Sequence, residues 1–281
     1  MKIPAAHRWQ TTDTFVCLFV VVVFFWLLYE AGTALNYIWH WSLPLEYIAT
    51  HNKDGWHGGL LLDGMLISVR LMIFSGILAL LIGGIVTAAA LSPVTALRLM
   101  AKLYVESLRH LPPIVFIFIF FYFVSSQIFT GEITPTDNTI SRLLFGDPAQ
   151  AENFISGVLC LAIFEAAFVT EILRAGVLSI ERGQWNAARS MGLSSWHTLR
   201  LVILPQATAR TAAPLTGQLI LLVKDSAILS VISVQELTFS AQETAVSTQQ
   251  IFETWLLAAV FYFMLCWPLL FLARRLQLVR E

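Results

Sequence analysis

LMIFSGILALLIGGIVTAAALSPVTAL, residues 71–97, runs for 27 positions without a charged side chain. Hydrocarbon offers nothing to hydrogen-bond a bare backbone, so a chain crosses it as a helix of about 20 mostly apolar residues. The stretch predicts one such helix. Working outward, five more runs of the same kind appear: 15–34, rich in Val and Phe, then 111–131, 154–175, 211–235 and 254–273. The Pro112-Pro113 pair at the head of the third run should break or kink its helix, because proline lacks an amide donor and restricts the residue before it. The expected fold is all-α and polytopic, with about six transmembrane helices.

Composition agrees. Of 281 residues, 57% are hydrophobic and 12% charged, against about 25% charged in an ordinary soluble domain. Water is therefore not the main solvent. The net charge of -1 leaves no basic excess to neutralise a nucleic-acid backbone. Cys17, Cys160 and Cys266 each lie inside an apolar run, with no CxxC pair, and read as small hydrophobes rather than metal or redox groups.

Short cytoplasmic loops carry the excess of Lys and Arg. Lys2 and Arg8 precede the first run; Arg98, Lys102 and Arg109 separate the second from the third; Arg182, Arg189 and Arg200 lie between the fourth and fifth; Arg274, Arg275 and Arg280 follow the sixth. Against these eleven, segments 36–62, 132–153 and 236–253 hold only Lys53 and Arg142. Both termini are expected on the cytoplasmic side. The basic start and Ala31-Gly32-Thr33-Ala34 also resemble a cleaved signal peptide. Asp13 at the edge of the run, its bulky aromatic end and Glu30 favour a retained helix. Trp39, Trp41, Tyr47 and Trp56 suit the aromatic belt of the outer interface. The expected division is 1–62, holding the first helix and this aromatic segment, and 63–281, holding the rest.

Residues 179–209 differ from every other loop. Gln184-Trp185-Asn186-Ala187-Ala188-Arg189 are good helix formers, with Ala187, Ala188 and Met191 expected on one face. Gly192 can supply a left-handed cap before Leu193, and Ser194 or Ser195 can cap a second helix through Trp196, Leu199 and Val202 to Pro205. Two short helices joined by a tight turn are expected. Interfacial packing under a membrane would account for such a pair equally well.

Ala187-Ala188, three residues, Gly192, nine residues, Val202 and then Ile203-Leu204-Pro205 resemble the E-A-A-x3-G-x9-I-x-L-P loop of ABC importer permeases. The resemblance extends from about Gly64 to Arg275 and points to the polar amino-acid uptake subgroup. Tyr104-Val105-Glu106 with Arg109 and Pro112, Glu171-Ile172 with Arg174-Ala175-Gly176, Leu204-Pro205-Gln206-Ala207, and Lys224-Asp225-Ser226 all resemble its patterns. Asn186 departs by replacing the usual Glu, and the first apolar run is extra to the subgroup's five-helix core. The resemblance implies a coupling helix, carried here by Gln184 to Leu193 and Pro205, that docks on a separate cytoplasmic ATPase subunit. It implies a second permease copy or a related permease, an extracytoplasmic solute-binding protein, and a multi-pass place in the bacterial inner membrane. ATP and Mg would sit on the partner ATPase; no cofactor is expected on this chain, which has no G-x-x-x-x-G-K-[S/T] loop.

Charges inside apolar runs need a partner or a wet cavity, since each costs about 2.5–3.5 kcal/mol at a helix centre. Glu165 and Glu171 in the fourth run, and Lys224 and Asp225 in the fifth, are the candidate pathway residues. Interhelical polar networks are the competing reading for Glu171 and for Lys224 or Asp225, and a buried or pore-lining structural role is the competing reading for Glu165. Glu165 could meet a cationic group of a small polar solute. Asp63 and Arg70 are expected to form a salt bridge on one helix face. A secondary transporter using Glu165, Glu171 and Asp225 as ion ligands is the alternative function, but it leaves the 179–209 loop without a role. An intramembrane enzyme is disfavoured by scattered histidines and the lack of HExxH.

Overall fold

The computed structural model describes residues 11–34, 38–52, 55–128 and 150–278. Lys2, Arg8, Lys53, Arg142 and Arg280, used above for orientation, lie outside them. The chain divides into two compact units, Met1–Trp41 and Ser42–Glu281. The first holds α1 (Thr11–Ala34), in which Phe15, Phe19, Phe25 and Tyr29 are all exposed. Its apolar residues are spread round the helix rather than confined to one stripe, as suits a helix surrounded by lipid. Trp39 and Trp41 stack with ring centroids 5.7 Å apart.

The second unit begins with α2 (Ser42–Glu46) and an antiparallel hairpin, β1 (Ala49–Asn52) and β2 (Gly55–Gly58), pairing Ala49 with Gly58 and Asn52 with Gly55. Trp39 and Trp41 of the aromatic segment belong to the first unit and Tyr47 and Trp56 to the second, and the hairpin is a small exception to the all-α expectation. Gly59 follows it because a Cβ there would overlap the Tyr47 carbonyl.

α3 (Leu60–Ala90) starts well before the charge-free stretch and stops short of its end. Pro93 accounts for the stop, and Ser92 Oγ accepts from Val94 N at 3.1 Å in the turn. Asp63 gains from the positive end of the α3 dipole. The expected Asp63–Arg70 salt bridge is not formed: seven residues put about 10 Å of helix axis between them, and their attraction acts only at a distance.

α4 (Thr95–His110) and α5 (Pro113–Ile119) meet at a 113° bend across the proline pair. α5 runs on through a π-helical turn, Phe120–Ser125. α6 (Ala151–Leu178) is followed by α7 (Arg182–Ser190), a turn of helix at Ser195–His197, a π-helical turn at Thr198–Ile203 and α8 (Leu204–Asp225). A 3-10 segment, Ser226–Ile232, leads to α9 (Leu237–Thr248) and α10 (Ile251–Leu278). Among the described residues four helices are long and apolar enough to cross a membrane, or five if α4 and α5 form one bent span.

The core joins α3, α6, α8 and the 3-10 segment after it through Leu71, Phe154, Leu161, Leu222 and Leu229. α3 approaches its neighbours closely where it carries glycine. A Cβ on Gly83 would overlap Val169 of α6, and one on Gly64 would overlap Ser240 of α9.

Candidate functional site

The segment from α7 to α8 forms as a tight helical corner. α7 ends in a Schellman arrangement: Gly192 has φ +79°, Gly192 N donates to Arg189 O at 2.9 Å, and Leu193 N donates to Ala188 O at 3.2 Å. Ser194 caps the next turn by accepting from His197 N at 3.3 Å. Both capping expectations are met, but the helix does not stop at Pro205. Proline in the first turn of α8 loses an amide that the turn does not need, and the wider π turn before it absorbs the register change. The result is one long segment, Ser195–Ile232.

Ala187, Ala188 and Met191 do not share one environment. Ala188 is buried, whereas Met191 is 71% exposed and Ala187 and Asn186 also face outward. Trp185 packs on Val177, Ile180, Ile203 and Ala207, which fixes α7 against the ends of α6 and α8. Gln206 Nε2 donates to Gln184 Oε1 at 3.3 Å and to Val202 O at 2.8 Å. Arg210 Nη1 donates to Ser179 O and, at 3.1 Å, to Ser179 Oγ. The corner is thus braced from behind, while Met191 and Trp196 project from it and Arg189 and Arg200 flank them on the surface.

The four embedded charges do not form one site. Glu171 faces Arg174, at 3.1 and 3.3 Å, and Arg109 at 3.8 Å. Its carboxylate is held between two guanidiniums, as the network reading expects. Lys224 is exposed at the end of α8 and, among the described residues, has no carboxylate within ion-pair distance. Glu165 is fully buried: Oε2 accepts from Gln218 Nε2 at 2.6 Å, while Oε1 has no hydrogen-bond donor among the described residues. The Asp225 carboxyl lies close enough to Glu165 to interact with it. A cavity of about 90 Å³ adjoins Glu165 and Gln218, walled by Gly76, Ala79, Leu219 and Leu222. With one carboxyl oxygen unpaired among otherwise mostly apolar walls, the cavity suits a group that donates hydrogen bonds.

Two polar residues were missed from sequence. Gln218, in the middle of the fifth run, carried no charge to mark it. Glu236, just beyond that run, was assigned to an outer loop; it is fully buried and caps α9 by accepting from Phe239 N at 3.0 Å. Its signal was a Glu directly preceding the helical stretch that starts at Leu237.

Long apolar helices, a bent proline pair and a braced corner between two spans define a multi-pass membrane protein. Residues 79–278 match the family of binding-protein-dependent transport system inner membrane components, and this chain belongs to that family. It is 31% identical over 236 residues to the probable glutamine ABC transporter permease protein GlnP of Bacillus subtilis, covering 83% of this chain and 98% of that one. It is 33% identical over 214 residues to the nopaline transport system permease protein NocQ of Agrobacterium fabrum, covering 75% and 86%. Among solved structures, an amino acid ABC transporter with histidines superposes with TM-score 0.64 at 28% identity, over 78% of this chain and 92% of that one. A chain of the inward-facing MetNI methionine ABC transporter superposes with TM-score 0.59 at 18% identity, over 77% and 96%, a likeness of fold alone.

Proposed function

We propose that this chain is the membrane-spanning permease subunit of an ATP-driven importer for a small polar solute of the amino-acid class. The observation that carries the reading is the α7 corner, a rigid turn that presents Met191 and Trp196 outward from between two spans. In this reading Gln184 to Leu193, with Pro205 behind them, dock on a separate cytoplasmic ATPase, which binds ATP and Mg. ATP-driven closure of the ATPases moves the corner and switches the helices between inward-open and outward-open states. Docking rests on shape and apolar contact, because Asn186 brings no charge. The chain itself catalyses nothing; a second permease, identical or related, completes the pathway, and an extracytoplasmic binding protein delivers the solute. Both termini and the α7 corner are cytoplasmic. The names of the glutamine and nopaline relatives support the amino-acid class, and Glu165 with Gln218 and Asp225 is the pathway site that would meet the solute's cationic group.

Co-expression with a candidate ATPase subunit tests this, comparing wild type with Gly192→Asp. The wild type should co-purify with the ATPase and support ATP-dependent uptake in vesicles, and the variant should lose coupling while its membrane helices stay folded. Uptake that ignores ATP depletion and follows the proton gradient would reject the reading in favour of a secondary transporter.

A further inference from the structure

α4 has three distinct faces. Ala101, Val105 and Leu108 are buried against the bundle. Opposite them, Leu99, Met100 and Leu103 are 65%, 68% and 66% exposed. Between these apolar faces runs a cationic stripe, Arg98, Lys102 and Arg109, at the helical spacing that aligns side chains on one side.

The stripe forms one wall of a cleft of about 530 Å³, and Arg174 and Glu171 of α6 form another. Four cations there face two carboxylates, Glu106 and Glu171. Glu171 is shared by Arg109 and Arg174, and Lys102 meets Glu106 at a loose 3.7 Å with both side chains mostly exposed. Arg98 has only Thr95 Oγ1, at 3.1 Å, and no carboxylate among the described residues. The cleft therefore keeps an uncompensated positive charge beside an apolar surface.

We infer that this cleft binds the phosphodiester headgroup of an anionic phospholipid, with the acyl chains lying along Leu99, Met100 and Leu103. A helix with apolar faces on opposite sides is stable between a protein core and lipid, and the charged stripe at its flank then sits at headgroup depth. A soluble anion would use the cations but would leave the apolar face uncovered. Arg98 and Lys102 supply the free charge, while Arg109 and Arg174 present guanidinium forks suited to phosphate oxygens. The placement on the cytoplasmic leaflet rests on the orientation proposed above; the binding itself does not.

Native mass spectrometry of the full chain in mild detergent tests the inference, with phosphatidylglycerol and phosphatidylcholine added at equal concentration. Phosphatidylglycerol should bind preferentially, and Arg98→Gln with Lys102→Gln should weaken it by about thirtyfold, from the typical contribution of each basic residue at an anionic surface. Both residues face outward on α4, so elution volume and helicity should stay at wild-type values; Arg98→Lys should retain binding. Arg274→Gln with Arg275→Gln, at the far end of α10, should leave the preference intact. Equal loss in that control pair, or an undiminished preference in the Arg98 and Lys102 variant, would overturn the site. Full displacement of the lipid by millimolar inorganic phosphate would assign it to a soluble anion instead. Disulfide dimers of Leu103→Cys would show that the apolar face is covered by a second copy.

Discussion

The Tyr262 hydroxyl donates to Glu236 Oε2 at 2.7 Å, and three helices meet around that bond. Ser68 of α3 lies 3.4 Å from the same oxygen and accepts from Leu237 N at 3.1 Å, while Phe239 N donates to Oε1 at 3.0 Å. Glu236 is fully buried, so its removal strands several donors at once. Each buried group left unsatisfied costs about 1–3 kcal/mol. Glu236→Ala should therefore lower the thermal midpoint in detergent clearly more than Tyr262→Phe, which removes one donor. Equal midpoints for the two variants would show that the carboxylate is not the hub.

Gly83 and Gly84 are adjacent in sequence and opposite in environment. A Cβ on Gly83 meets Val169, whereas one on Gly84 meets nothing within 4 Å. Gly84→Ala should stabilise the helix by about 0.5–1 kcal/mol through backbone entropy and helix propensity. Gly83→Ala should destabilise by about 1–3 kcal/mol, because α3 and α6 must separate to admit the methyl group. Thermal unfolding of the two single variants checks the opposite signs; a shared sign would mean that the α3–α6 contact is looser than described.

The contact that separates Gly83 from Gly84 is made with Val169, far along the chain, and no local pattern encodes it. Apolar run length located the spans because lipid imposes that requirement on each helix separately, and the turn at Gly192 was legible because a left-handed cap is a local property. Helix ends were less so. α3 extends back through Asp63 and Arg70, charges that an apolar window excludes but a helix end near water tolerates. The π turn before Pro205 was hidden, since a proline in an apolar run does not by itself say whether the helix ends there or widens to pass it. Gln218 and Glu236 belong to the buried polar framework through partners 53 and 168 residues away in sequence, and no local pattern encodes such distances.

Glu171 offers a quantitative contrast with Glu236. Its side chain is 31% exposed and its partners Arg109 and Arg174 are 44% and 42% exposed, so solvent screens both pairs. Partly exposed ion pairs contribute about 0–1 kcal/mol each. Glu171→Gln should shift the thermal midpoint only slightly, and less at high salt than at low salt. A loss as large as that of Glu236→Ala would mean that the cluster is desolvated in the assembled membrane complex.

Glu165 is the embedded carboxyl with a free acceptor, Oε1, beside a cavity whose other walls are mostly apolar, and the prediction for it separates a solute contact from a packing role. Glu165→Gln keeps the shape and removes the charge. If the carboxylate is the counter-charge for a cationic solute group, uptake of a cationic amino acid should fall by roughly tenfold to a hundredfold, the range for a lost hydrogen bond to a charged partner. The assay is radiolabelled uptake in vesicles holding the assembled importer, with thermal midpoint as the folding control. Gln218→Leu removes the donor to Oε2 and should lower the midpoint through the unpaired carboxylate, whereas Glu165→Gln should not. Wild-type uptake by Glu165→Gln would return the residue to the structural framework and leave solute recognition to other parts of the pathway.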